Sequence, residues 1–242
     1  ITIATVSNYT VVRARQIIAT VKVIPFAVFG ASVRDAATRA AQDEPLVRIA
    51  PFQDLPVGLI QTQNHSVKSQ ILEKTARTIQ DRLQSYGAHL ECEIRCEHNV
   101  GEVSGALKKL LSMKCSPVLM IGASAIVDRR DIIPTAIEAA GGIVNRFGMP
   151  VDPGNLLLLA HHNKTPVIGA PGCARSPKFN GFDQILASLL SGVHVDHDSV
   201  SAMGAGGLLS EVSARPQPRE GELSVPEHAG TRLNMHVPRN RS

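Results

Sequence analysis

The chain reads as an α/β protein: a three-layer, mostly parallel sheet with helices on both faces, preceded by a small β-containing subdomain. Three observations predict this. From about residue 57, short apolar runs alternate with segments of 3.6-residue periodicity, the order expected of a parallel sheet and its covering helices. The run at 117–121 is short, continuously apolar and closed by Gly122, as a buried strand is. Aromatics make up only 3% of the 242 residues, with no Trp and two Tyr, so the core is aliphatic.

The same composition excludes several classes of function. The net charge of +4 divides evenly. Residues 214–242 hold five Arg and three Glu, and the rest of the chain holds 20 basic and 18 acidic residues. No basic face follows from that, and base-stacking aromatics are lacking, so nucleic acid is not an expected partner. No apolar run approaches the roughly 18 residues of a membrane span, and no signal peptide is visible. Cys92, Cys96, Cys115 and Cys173 form no zinc-like pairs and read as reduced thiols of a cytoplasmic protein.

Residues 1–52 are rich in Val, Ile and Thr and read as the small subdomain. It contains a strand over 17–26 that Pro25 interrupts or places at an edge, a short helix at 32–41 and a further strand at 46–50. The α/β domain spans 53–212. A strand at 57–62 leads to a helix over 67–86, whose Val67, Ile71, Leu72, Ala76, Ile79 and Leu83 recur at three and four residues and which Gly87 stops. Residues 88–95 alternate like a half-exposed strand. A second helix carries Val100, Val103, Leu107 and Leu110, and then comes the 117–121 strand. A helix at 132–140, a strand at 143–147, apolar runs at 156–160 and 166–170, and a helix at 179–190 complete the layer. Residues 213–242, with four Pro and little periodicity, read as a flexible linker or tail leading to a further domain.

Three stretches can carry chemistry. The loop Gly122-Ala123-Ser124-Ala125, at a strand end, has side chains small enough for a ligand to reach the backbone. The following Asp128-Arg129-Arg130-Asp131 offers two carboxylates for a hydrated Mg²⁺ and guanidinium forks for a phosphate. It equally suits a solvated helix cap, with Asp131 as N-cap ahead of Pro134. The turn Pro153-Gly154-Asn155 and the turn Pro171-Gly172-Cys173-Ala174-Arg175-Ser176 each stand beside an apolar strand. In the latter, Ser176 and free amides at a helix N-terminus, with Arg175, would receive an anion. Cys173 has no identifiable partner base to make it a nucleophile. His161-His162 and His194-Val195-Asp196-His197-Asp198 match no zinc spacing. His65 and His98 follow strands near the same sheet edge.

Taken together, GASAIVDRRDIIPTAIEAAGG, FGMPVDPGNLLLLA and PVIGAPGCARSPKFNGFD resemble the molybdopterin-binding proteins of molybdenum-cofactor biosynthesis. The resemblance is closest to the region found ahead of a nucleotidyltransferase domain in bacterial fusion proteins. Gly122, Ala123, Ser124 and Ala125 are similar to the Gly-Gly-Thr-Gly loop of molybdopterin adenylyltransferases, and Arg130, Asp131 and Pro134 to its close. Pro153-Gly154-Asn155 and Pro171-Gly172 are similar to turns of the molybdotransferases that help hold the pterin. Alanines replace two of the loop glycines, and Glu97-His98-Asn99 stands where the adenylyltransferases carry an acidic pair.

The resemblance implies a domain that binds molybdopterin and presents it to a fused or partner nucleotidyltransferase. Asp128 and Asp131 would then hold Mg²⁺ as the catalytic and metal residues. Any catalysis would be nucleotidyl or molybdenum transfer, and since relatives form dimers or trimers, a homo-oligomer is also implied. Two alternatives remain: an assembly module without ligand binding, and a Mg²⁺-dependent hydrolase of nucleotide pyrophosphate bonds.

Overall fold

In the computed structural model, residues 2–41 and 47–209 are described. The α/β body holds a six-stranded sheet. Its strands in chain order are β3 (Pro56–Gln63), β4 (His89–Glu97), β5 (Val118–Ile121), β6 (Ile143–Phe147), β7 (Leu158–His162) and β8 (Thr165–Ala170). The spatial order is β4-β3-β5-β8-β7-β6. The first four strands of that order pair in parallel, while β7 pairs antiparallel with both β8 and β6. One reversed strand therefore leaves the carboxyl ends of β3, β4, β5, β6 and β8 on a single edge.

Strand β5 shows why the layers form. Val118 and Met120 enter one cluster with Val103, Leu107 and Leu110 of α3 (Val100–Ser112) and Ile133 and Ile137 of α4 (Ile132–Ala139). Leu119 and Ile121 enter the other, with Ile79 and Leu83 of α2 (Ser69–Ser85) and Phe182 and Ile185 of α5 (Gly181–Leu190). Alternate side chains point to opposite faces, so a run apolar at every position must be covered on both. All four β5 residues are buried. A short helix α6 (His197–Ala202), which the periodicity did not reveal, closes the order under a capping box of Asp196 and Ser199.

The N-terminal stretch differs from expectation in extent. It contains an antiparallel ribbon of β1 (Thr2–Thr5) and β2 (Ala19–Lys22), followed by α1 (Gly30–Ala41). Only 19–22 of the expected strand at 17–26 is paired, and Pro25 lies beyond it. The strand expected at 46–50 is absent: residues 47–50 are not in a strand, and 46 lies outside the described residues. With Leu46 followed by Arg48, Ala50 and Pro51, the run is too short and too near a proline to pair. The expected tail at 213–242 also lies outside the described residues.

Candidate functional site

The candidate site is built where β5 and β8 end. Gly122 folds the loop back on itself. A Cβ at this position would lie 2.5 Å from the Ser124 carbonyl oxygen and 3.0 Å from Ile133 Cδ1, so the chain's own backbone fills the space left by the missing side chain. The loop is then fastened from β3: the Ala123 amide donates to Thr62 Oγ1 at 2.7 Å. Thr62 Oγ1 also meets His98 Nδ1, just past the end of β4, at 2.7 Å, and His98 Nε2 meets Ser124 Oγ at 3.1 Å. Burial pushes the His98 pKa below its ordinary value, against an opposing pull from Asp131.

Asp131 occupies the N-cap position of α4, but its carboxylate does not cap the helix. It turns backward, and Oδ2 accepts from the amides of Val127 at 2.7 Å and Asp128 at 3.0 Å. Asp128 Oδ1 accepts from the Arg130 amide at 2.7 Å. Among the described residues the amides of Ser124, Ala125 and Ile132 donate to no backbone carbonyl, and the Asp131 side chain caps none of the first amides of α4. Asp131 thus stands at the N-cap position the capping reading gives it, but with its side chain turned away from the helix. Each carboxylate keeps one oxygen outside these bonds, enough to share an ion with a phosphate. Among the described residues no group of three or more His, Cys, Asp or Glu side chains gathers as a metal site. The side chains of Arg129 and Arg130 are at the surface.

The second turn meets the loop directly. After Pro171, residues Gly172–Arg175 form a single 3-10 turn, and Arg175 reaches from it to Gly122 O at 2.9 Å and Thr75 Oγ1 of α2 at 3.0 Å. Burial lowers the Arg175 pKa, and no carboxylate contributes to raising it. A half-buried guanidinium that donates to a carbonyl and a hydroxyl, with no carboxylate partner among the described residues, has charge to share with an anion.

The expected anion seat at the N-terminus of α5 is corrected. The Gly181 amide donates to Pro153 O at 2.8 Å, Phe182 to Asn180 Oδ1 at 3.1 Å and Asp183 to Asn180 O at 2.9 Å. Asp183 Oδ2 returns to the Asn180 amide at 2.8 Å. With its first amides taken and a carboxylate in its first turn, this helix end has nothing left to offer an anion. Ser176 does not face it as a receptor either. Its hydroxyl accepts from the Lys178 amide at 3.2 Å, and its carbonyl accepts from Arg82.

Arg82, which the sequence reading did not single out, organises this turn. Its Nε donates to Asp183 Oδ1 at 2.6 Å and Nη1 to Ala174 O at 2.7 Å, while Nη2 serves Ser176 and Lys178 carbonyls. The side chains of the pair are 8% and 6% exposed, so the charges are matched in a nearly dry interior. A signal was available: Arg82 lies three residues from Ile79 on the buried face of α2.

The third turn is linked to the others only indirectly. Gly154 has φ +135°, and a Cβ there would sit 2.8 Å from the N and Cα atoms of Gly181. Its openness admits α5 rather than a ligand. Asn155 lies elsewhere, lining a depression of about 290 Å³ with Met149, Asp152 and Leu208, in which no residue of 122–131 takes part. Of the three stretches, the loop and the Arg175 turn therefore meet at Gly122, while Pro153-Gly154 packs against the start of α5 and Asn155 faces a separate depression. The setting of Cys173 does not favour a nucleophile: burial pushes its thiol pKa up, and the sulfur contacts Asn180 Oδ1 at 3.5 Å.

No protein-family model and no curated protein matches the chain. Solved structures to which it is similar include two molybdopterin biosynthesis proteins. One is MoeA from Pyrococcus horikoshii, at TM-score 0.43 and 18% identity over 57% of this chain and 35% of that one. The other is MoaB from Thermus thermophilus, at TM-score 0.41 and 15% identity over 57% of this chain and 97% of that one. The chain thus spans about a third of the MoeA protein. Likeness of this extent concerns the course of the backbone alone. Among the described residues no helix is long and apolar enough to cross a membrane.

Proposed function

We propose that the chain binds molybdopterin at the 122–131 loop, with its phosphate on the loop, and presents it to a nucleotidyltransferase, fused or separate. One observation carries this reading: the amides of Ser124, Ala125 and Ile132, which have no acceptor among the described residues, stand on the same loop and helix start that Arg175 approaches without a carboxylate of its own. Unpaired amides at a strand-to-helix turn, joined by a guanidinium, favour a phosphate. The motif resemblance supplies the pterin. Arg130 at the surface adds positive charge at the rim, and the remaining oxygens of Asp128 and Asp131 would hold Mg²⁺ together with phosphate oxygens and water. Such an ion would neutralise charge developing in a nucleotidyl or metal transfer.

Titration of molybdopterin against the protein and its Asp131→Ala variant tests the reading. Expected is micromolar binding that the substitution weakens at least tenfold, ~1.4 kcal/mol. No binding by either protein would instead support the assembly-module reading. That alternative draws on the N-terminal stretch, where α1 buries no residue and Ile24, Phe26 and Phe29 are 79%, 114% and 86% exposed. An apolar surface of this kind suits a protein partner.

A further inference from the structure

The string Thr62–His98–Ser124 connects three elements at the site and is explained neither by packing nor by the phosphate-binding amides. We propose that it fixes the Ser124 hydroxyl as a hydrogen-bond donor aimed at the ligand's phosphate, with His98 as a positioning residue in its neutral, Nε2-protonated form. The donor role rests on the binding reading above; the form of the string does not.

Of the two hydroxyls in the string, that of Thr62 is buried and that of Ser124 is at the surface. Thr62 is 0% exposed. Its oxygen already accepts the Ala123 amide, and its own proton needs an acceptor, because a buried donor left unpaired is costly. The acceptor within reach is His98 Nδ1, at 2.7 Å. Nδ1 must then be unprotonated, and the proton of the neutral ring must sit on Nε2. Nε2–H donates to Ser124 Oγ, and the proton of that hydroxyl is directed away from the ring.

This assignment decides between two chemistries. A serine beside a histidine is a nucleophile only when the ring nitrogen facing it is free to take its proton. Here that nitrogen carries a proton, so Ser124 is not activated for attack. A hydroxyl that accepts one hydrogen bond is polarised toward giving another. Ser124 is at the surface, on the loop whose amides are unpaired, and its proton has a phosphate oxygen as its natural acceptor. A neutral histidine in this position shapes the loop and adds no negative charge of its own to repel a phosphate.

Two measurements test the string and its use separately. Long-range proton–nitrogen NMR of the ligand-free protein should show His98 protonated at Nε2; protonation at Nδ1 overturns the string even if the protein binds molybdopterin. In molybdopterin titrations, Ser124→Ala should weaken binding about tenfold, as for one hydrogen bond to a charged group. His98→Ala should weaken it comparably, and the double variant should be no weaker than Ser124→Ala alone. His98→Gln, whose amide can donate from nearly the same place as Nε2, should recover most of the loss. Multiplying effects, or a His98→Ala variant that binds like the wild type, overturn the positioning role. A wild-type protein that binds no molybdopterin overturns the binding reading and with it the donor role.

Discussion

Helices α4 and α5 both begin at the carboxyl edge of the sheet, yet their first turns are finished in opposite ways. At α5 the chain satisfies itself: Asn180 and Asp183 form a reciprocal capping box, Pro153 takes the first amide, and Arg82 neutralises the carboxylate. At α4 the residue in the cap position looks backward to Val127 and Asp128 and leaves the helix amides bare. Two acidic residues near two helix starts thus do different work: one closes its own helix start, and the other fastens the loop before its helix. The lesson is that a helix start can offer its amides to a ligand only where its own cap does not take them.

The comparison breaks most visibly at Arg82. Arg82→Ala leaves Asp183 charged and buried, and should cost about 3–5 kcal/mol in denaturant unfolding, as severed buried ion pairs do. Asn180→Ala removes the α5 cap and should cost about 1 kcal/mol by the same measurement while leaving molybdopterin affinity unchanged. Asp131→Ala should show the reverse pattern, with stability altered by less than about 1 kcal/mol, because its bonds lie in an exposed turn, and affinity reduced. A matching loss of stability in the Asp131 and Asn180 variants would erase the distinction between the two helix starts.

The smallest expected effect is on pH dependence. His98 has a lowered pKa in the folded protein, so the unfolded chain binds the extra proton more readily. Its contribution is fully present above the unfolded value near 6.5 and is lost as pH falls from there through the folded value. Stability measured across that window should decline less steeply toward acid in His98→Gln than in the wild type.

The body of the fold was legible because its signals are local. Apolar runs and helical stripes placed every strand and helix from β3 to α5 within a few residues. The N-terminal stretch was read less well: Val, Ile and Thr favour strands, but pairing needs a partner, and only 19–22 found one. At the site, the loop and the Arg175 turn were legible from small residues at strand ends. The closing of α5 could have been read from Asn180 and Asp183, three residues apart before an apolar run, a capping pattern. The tie from Thr62 to His98 could not, since it depends on the parallel register that sets Gln63 beside Glu97.

The fastening of the Gly122 loop through Thr62 also bears on protein engineering. The segment from Gly122 to Asp131 does not carry its own shape, because its anchor belongs to a neighbouring strand and its brace, Arg175, to a turn 53 positions downstream. Transplanting that segment onto a foreign scaffold would move the letters and leave the geometry behind; a workable graft must bring Thr62, His98 and Arg175 along.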